Sequence, residues 1–178
     1  MQNELRSDAF LSEAMTCFGD AVYRLAYCRL SSHADAEDVF QEVFLRLMQD
    51  TTVFHDAEHL KAWLLRVTIT RCADLRRSAW FKRTAPLSAA SSAAAPLPDD
   101  YSALWQAVHT LPDELRTVVY LYYVEGYHTE EIADLVGCRP ATVRTRLHRA
   151  RKQLKLDLEG SDDEAYQRPA QIAGHEST

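Results

Sequence analysis

Paired cysteines, membrane-length apolar runs and alternating strand patterns are all missing from this chain of 178 residues. Cys17, Cys28, Cys72 and Cys138 stand far apart, with no C-x-x-C pair and no zinc-type grouping with histidine. That excludes a disulfide framework and a metal site of the usual spacing, and the four read as reduced thiols. No window approaches the length of a membrane span, and Glu4, Arg6 and Asp8 precede any apolar run, unlike a secretory signal. No membrane insertion and a cytoplasmic location are therefore expected. No alternation of apolar and polar residues is long enough to build a sheet, and no internal repeat is present, so an all-α fold is expected.

Apolar residues make up 47% of the chain, enough for one ordinary core or two small ones. The net charge of −6 and pI near 5.6 argue, as averages, against a nucleic-acid binder, because phosphate affinity comes from Lys and Arg. The average conceals a strong asymmetry. Between Arg139 and Lys155 there is no acid, while Arg139, Arg144, Arg146, Arg149, Arg151, Lys152 and Lys155 all carry positive charge. The acids gather elsewhere, in Asp35, Glu37 and Asp38 and in Asp162, Asp163 and Glu164.

Helical spacing of apolar residues runs through Phe10–Leu30, Ala36–Met48 and Leu60–Leu75, with breaks at Ser31-Ser32-His33 and Asp50–Asp56. The stretch TAPLSAASSAAAPLPDD, 84–100, is rich in Ala, Ser and Pro and reads as a flexible linker. Beyond it, helical patterns occupy Tyr101–Val108, Asp113–Val124, Thr129–Val136 and Ala141–Leu158. The polar, acidic end reads as a disordered tail. The expected organisation is a first domain over 1–83, a linker over 84–100, a second domain over 101–158 and a tail over 159–178.

In TEEIADLVGCRPATVRTRLHRARKQLK, Gly137 suits the left-handed turn that ends one helix, and Pro140 suits the first turn of the next. This spacing predicts a helix-turn-helix whose second helix runs from about Pro140 to about Lys155. At 100° per residue, Val143, Leu147, Ala150 and Leu154 form a buried stripe. The opposite side carries Arg144, Thr145, His148, Arg149, Lys152 and Lys155, all able to donate to base edges or phosphates in a major groove. The plainer alternative is an amphipathic helix whose basic side is merely solvated.

On the helix from Asp35 to Asp50, Val39, Phe40, Val43, Phe44 and Leu47 predict a broad buried side, with Asp38, Gln41, Glu42 and Gln49 opposite. Leu45 projects among those polar residues, as an apolar anchor in a polar rim would, or as one stray leucine on a solvated face. The following helix ends in Arg71, Arg76, Arg77, Lys82 and Arg83, interrupted by Trp80 and Phe81. Cations interleaved with aromatic rings suit single-stranded nucleic acid, although the two rings would serve equally as core residues.

With YRLAYCRL, DAEDVFQEVFLRLM, AWLLRVTITRCADLRR and LPDELRTVVYLYYVEGYHTEEIADLVGCRPATVRTRLHRARKQL in this order, the chain resembles a bacterial extracytoplasmic-function (ECF) sigma factor from about Phe10 to about Leu156. The resemblance implies a sigma-2-like helical bundle and a sigma-4-like helix-turn-helix that direct core RNA polymerase to promoters. By position, Asp38, Gln41, Glu42 and Leu45 correspond to the segment that docks on the clamp helices of the polymerase β′ subunit. The loop from Phe54 through His55 to His59 and the helix through Thr70, Asp74, Arg76, Arg77 and Trp80 correspond to the parts that open the −10 element and hold a flipped base. Arg139, Thr142, Arg144, Thr145, Arg146, His148, Arg149 and Lys152 correspond to the surface that binds the −35 element. Thr70 stands where many members carry Asn, and Arg139-Pro140-Ala141 replaces a commoner turn ending in Gly. An anti-sigma protein is an expected partner, and no cofactor or metal is implied.

Two other readings compete. His55-x-x-x-His59 has the i, i+4 spacing of a metal pair, but no third ligand is evident nearby, and an enzyme is not expected. A stand-alone helix-turn-helix regulator would explain Arg144 and Arg149 equally well, yet leaves the Asp38–Leu45 face and the aromatic-basic segment without a role.

Overall fold

The structure, a computed structural model, describes residues 6–82 and 102–157, with 80–82, 102–104 and 156–157 as backbone only. The expected linker over 84–100 and tail over 159–178 lie outside the described residues. Among the described residues there are helices and no strands, as the sequence predicts, and they fall into two compact units that divide at the start of the fourth helix.

The first unit holds α1 (Asp8–Leu30), α2 (His33–Gln49) and α3 (Ala57–Lys82). Each start is satisfied by a side chain, because the first N–H groups of a helix have no partner within it. Ser7 Oγ accepts from Phe10 N at 3.3 Å, Ser32 Oγ from Asp35 N at 3.3 Å, and Asp56 Oδ1 from His59 N at 2.7 Å. Ser31, at φ 55, ends α1 in the left-handed conformation and donates its N–H to Tyr27 O at 2.8 Å. The break between α1 and α2 is thus one residue shorter than the sequence suggests. His33 belongs to α2, its ring stacked on Tyr27 at 4.4 Å and its Nδ1 2.7 Å from Tyr23 Oη.

Val22 and Ala26 of α1, Val39, Val43, Phe44 and Leu47 of α2, and Leu60, Leu64, Val67 and Cys72 of α3 form one apolar core. Phe40 is half-buried and lies over Gly19, where a β-carbon would meet its ring at 3.4 Å. All four cysteines are free thiols.

The second unit holds α4 (Ser102–Thr110), α5 (Asp113–Val119), α6 (Thr129–Val136) and α7 (Pro140–Asp157). The single helix expected over Asp113–Val124 instead passes at Tyr120 into a π-helical segment, Tyr120–Val124. The wider turn is held by Glu125 N to Tyr120 O at 3.2 Å, and Tyr120 Oη donates to Glu125 Oε1 at 2.8 Å. Tyr120 and Leu121 consequently both reach the core. Between α6 and α7, Gly137 adopts φ 72, and Cys138 N donates back to Ala133 O at 3.0 Å, the closing bond of a left-handed helix terminus. The start of α6 is closed by Glu131, whose carboxylate accepts from His128 N at 2.8 Å.

Candidate nucleic-acid interface

Helix α7 sorts its residues as the sequence predicts. Val143, Leu147 and Ala150 are buried and Leu154 is half-buried, while Arg144, Thr145, His148, Arg149, Lys152 and Lys155 are all exposed. The burial of one side fixes which way the other must face, so the cationic side is held outward by apolar packing. Arg139 lies at the head of the helix, where its carbonyl accepts from Thr142 N at 2.8 Å and Val143 N at 3.2 Å. Thr142 follows in the first turn, half-buried.

Arg146 departs from this grouping. Its side chain is only 20% exposed and its guanidinium is paired with Glu114 of α5 at 2.8 Å, beside Cys138 Sγ at 3.9 Å. It therefore fastens one flank of α7 to α5 and does not share the face of Arg144 and Arg149. The other flank is fastened by Arg151, whose Nε donates to Tyr123 Oη at 2.7 Å with its guanidinium 5.8 Å from the Tyr122 ring and 5.7 Å from the Tyr123 ring. Of seven basic residues in the acid-free run, these two are committed to tertiary structure. The sequence hides this, because Glu114 and Tyr123 lie on other elements.

Arg144 is drawn toward Glu130 of α6 at 3.5 Å, both side chains being largely exposed. A backbone hydrogen bond, the Thr129 hydroxyl at 2.9 Å and the Arg144 charge together hold the Glu130 carboxyl below its ordinary range. It stays ionised and orients Arg144 from below.

On α2, Asp38, Gln41, Glu42 and Leu45 are all exposed, Leu45 by 54%. The four residues share one side of the helix, opposite Val39, Val43 and Leu47. Glu42 is 3.6 Å from Arg71 of α3.

The segment before α3 alternates. Thr52 is tied to Asp50, whose Oδ1 accepts its N–H at 2.8 Å. Burial works to raise the Asp50 carboxyl, but the Thr52 hydrogen bonds and the charges of Arg6 and Arg46 outweigh it and hold it low. The ring of Phe54 is half-buried, 5.8 Å from Trp63 and 5.4 Å from His59, with the Arg6 guanidinium 4.7 Å away. Phe54, grouped by sequence with the −10 contacts, is thus engaged within its own unit. Val53 and His55 point out, Val53 with 76% exposure, the highest of the large apolar residues that stand exposed. Sequence reasoning passed over Val53; an unpaired valine in a polar break was the available signal.

Along α3, Thr70, Arg76 and Arg77 are exposed. The Thr70 hydroxyl donates to Arg66 O at 3.0 Å, and Arg77 pairs with Asp74 one turn back. The side chain of Trp80 lies outside the described residues. At about 1.5 Å per residue, Thr70 stands roughly 20 Å along the axis from the start of α3. The loop before α3 and the Thr70–Arg77 segment are therefore separated along one long helix.

His55 stacks on His59 at 5.2 Å, and His59 Nδ1 accepts from the His55 backbone N at 3.4 Å. Among the described residues no group of three or more His, Cys, Asp or Glu is placed to hold a metal ion, and no helix is long and apolar enough to cross a membrane.

A helix-turn-helix with one sealed and one cationic side, joined in sequence to a three-helix unit with an acidic, leucine-centred face, defines a two-part DNA-binding protein of the transcription machinery. Sigma-70 region 2 matches residues 15–82, and Sigma-70, region 4 matches residues 101–154. The chain is similar to the ECF RNA polymerase sigma factor SigL of Mycobacterium tuberculosis, with 34% identity over 78% of this chain and 82% of that protein. It shares 33% identity with the ECF RNA polymerase sigma factor SigE of Mycolicibacterium smegmatis over 83% of its own length, and spans 61% of that longer protein. In fold it is similar to the sigma factor RpoE of Bartonella quintana, solved in complex with the anti-sigma factor NepR, with a TM-score of 0.71 at 22% identity over 88% of this chain and 100% of that one. CnrH, solved with the cytosolic domain of CnrY, gives a TM-score of 0.62 at 20% identity over 88% of this chain and 92% of that one. The chain belongs to the ECF RNA polymerase sigma factors. Its role is promoter selection for RNA polymerase at the start of transcription, and the stand-alone regulator reading gives way to that membership.

Proposed function

We propose that the two units divide this work, over sequence boundaries near 1–83 and 101–158. The exposed side of α7 enters the major groove of the −35 element, with Arg144, Thr145, His148 and Arg149 at base edges and Lys152 and Lys155 on phosphates. Arg139 and Thr142 at the head of α7 add backbone contacts where the helix dipole favours phosphate. Asp38, Gln41, Glu42 and Leu45 of α2 dock on the β′ clamp helices, Leu45 as the apolar anchor. Val53 and His55 receive an unstacked −10 base, and Thr70, Arg76, Arg77 and Trp80 follow the strand beyond it. RNA synthesis is the work of the polymerase, and no residue of this chain is assigned a catalytic role. The protein acts in the cytoplasm, where an anti-sigma protein would hold it inactive by covering the docking face; its structural relative RpoE is solved in complex with an anti-sigma factor.

The observation that carries this reading is the two-sided sorting of α7, with Val143 and Ala150 fully buried and every residue assigned to base edges exposed. Run-off transcription with core polymerase on a promoter library tests it. Leu45→Asp is expected to abolish holoenzyme assembly. Arg149→Ala is expected to assemble normally yet lose roughly tenfold or more in −35 selectivity, the worth of one bidentate base contact. Lys155→Ala is expected to weaken all promoters alike and to reduce the salt slope by about one. Normal assembly of Leu45→Asp would remove the docking assignment, and equal effects of Arg149→Ala and Lys155→Ala on every promoter would remove the reading face.

A further inference from the structure

Arg6 lies ahead of α1 and outside the residues matched by Sigma-70 region 2, yet its contacts converge on the loop between α2 and α3. Its backbone N donates to Met48 O at 3.2 Å and its Nε to Leu47 O at 3.1 Å, so it satisfies carbonyls of the last turn of α2. A second guanidinium nitrogen donates to Thr52 O. The same planar group lies 4.9 Å from the Phe10 ring and 4.7 Å from the Phe54 ring. One side chain thus joins the end of one helix, the start of another and the two inward-held residues of the loop, Thr52 and Phe54.

The consequence is a parity. In an extended segment successive side chains point to opposite sides. With Thr52 tied down through its carbonyl and through Asp50, Phe54 stacked inward and Asp56 capping α3, the alternation leaves Thr51, Val53 and His55 facing solvent, the last two next to α3. A slip of one residue would turn Phe54 out and Val53 in. A forked donor that spans the Leu47 and Thr52 carbonyls resists that slip, because losing it leaves Thr52 O to find another partner, while Leu47 O keeps only the N–H of Asp50.

We infer that Arg6 is a positioning residue for base capture: it sets the register of the 50–56 loop so that Val53 and His55 face the unstacked −10 base. This rests on the assignment of that loop to the −10 element given above. Lysine retains the charge near Phe54 but has no planar fork with which to hold Leu47 O and Thr52 O together. Arg6→Lys is therefore a milder lesion than Arg6→Ala.

The test uses holoenzyme and a forked promoter duplex whose single-stranded −10 non-template segment carries one abasic residue, placed at each position in turn. The captured base is the position at which the abasic residue costs wild type most. His55→Ala is expected to lose roughly tenfold in affinity on the intact fork, as for removal of one base-stacking contact, and little on the fork abasic at that position. Arg6→Ala is expected to show the same base-dependent loss and Arg6→Lys a smaller one, with core polymerase binding unchanged. Losses for both Arg6 variants that are equal on intact and abasic forks would overturn the proposal and make Arg6 a purely structural residue. A His55→Ala loss that ignores the base would instead overturn the assignment of the loop itself.

Discussion

His109 sits half-buried at the end of α4, with the Arg116 guanidinium 3.4 Å from its Nδ1. Arginine can only donate, so Nδ1 accepts and the ring proton belongs on Nε2. Burial, and then the neighbouring positive charge, push the His109 pKa below its ordinary value. The sign of the linkage follows. Below about pH 6.5 the unfolded chain takes up a proton that the folded chain resists, so the stability conferred by neutral His109 is full above that pH and drains away as pH falls toward the folded value. Denaturant midpoints measured at pH 7.5 and pH 5.5 are expected to fall less for His109→Gln than for wild type, since glutamine still accepts from Arg116 and does not titrate. Parallel losses in the two proteins would show that another group dominates the acid response.

Helix α7 is held by more than its apolar stripe, and its two flanking arginines play a different part from those on its outer side. Removing Arg146 frees Glu114 and loosens one flank, at a cost of about 1 kcal/mol because Glu114 is largely exposed and its charge well screened. A few degrees of melting temperature are expected to go with it. Arg149→Ala is expected to leave the melting temperature in place, because its side chain is exposed. Calorimetry of the two variants checks the division, and equal shifts would refute it. This division marks where sequence reading stops. Helical periodicity sufficed to place Val143, Leu147 and Ala150 inside and Arg144, Thr145, His148 and Arg149 outside, because burial follows angle around the axis. The resemblance, not periodicity, grouped Arg146 with the −35 residues; its pairing with Glu114, 32 positions away, is visible only once tertiary packing brings the two together. The π-helical segment at Tyr120–Val124 was likewise beyond reach, since the inserted residue is stabilised by burial of adjacent Tyr120 and Leu121. Phe54 came into view only through the resemblance, as part of the −10 loop, and its packing against Arg6 and Trp63 depends on partners from other elements.

At the scale of the whole chain, averages mislead twice. A net charge of −6 belongs to a protein that carries no acid over Arg139–Lys155, so electrostatic attraction must be read from local distribution. One apolar fraction likewise covers two separate cores. The first is built from Val22, Val43, Leu47 and Leu64, and the second unit buries Val118, Leu121, Ile132, Val143 and Leu147. Units with their own cores unfold as their own cooperative transitions, and a cavity in one is felt there first. Leu64→Ala, at a fully buried site, is expected to cost about 2–5 kcal/mol and to lower one calorimetric transition by roughly 10 °C or more. Leu147→Ala is expected to lower the other by a similar amount. In the double variant the two shifts should add, since sites that share no partners do not couple. A single transition that moves as one under either substitution would show that the two units fold as one body, and the division of promoter recognition between them would then need a rigid geometry in place of two independently folded parts.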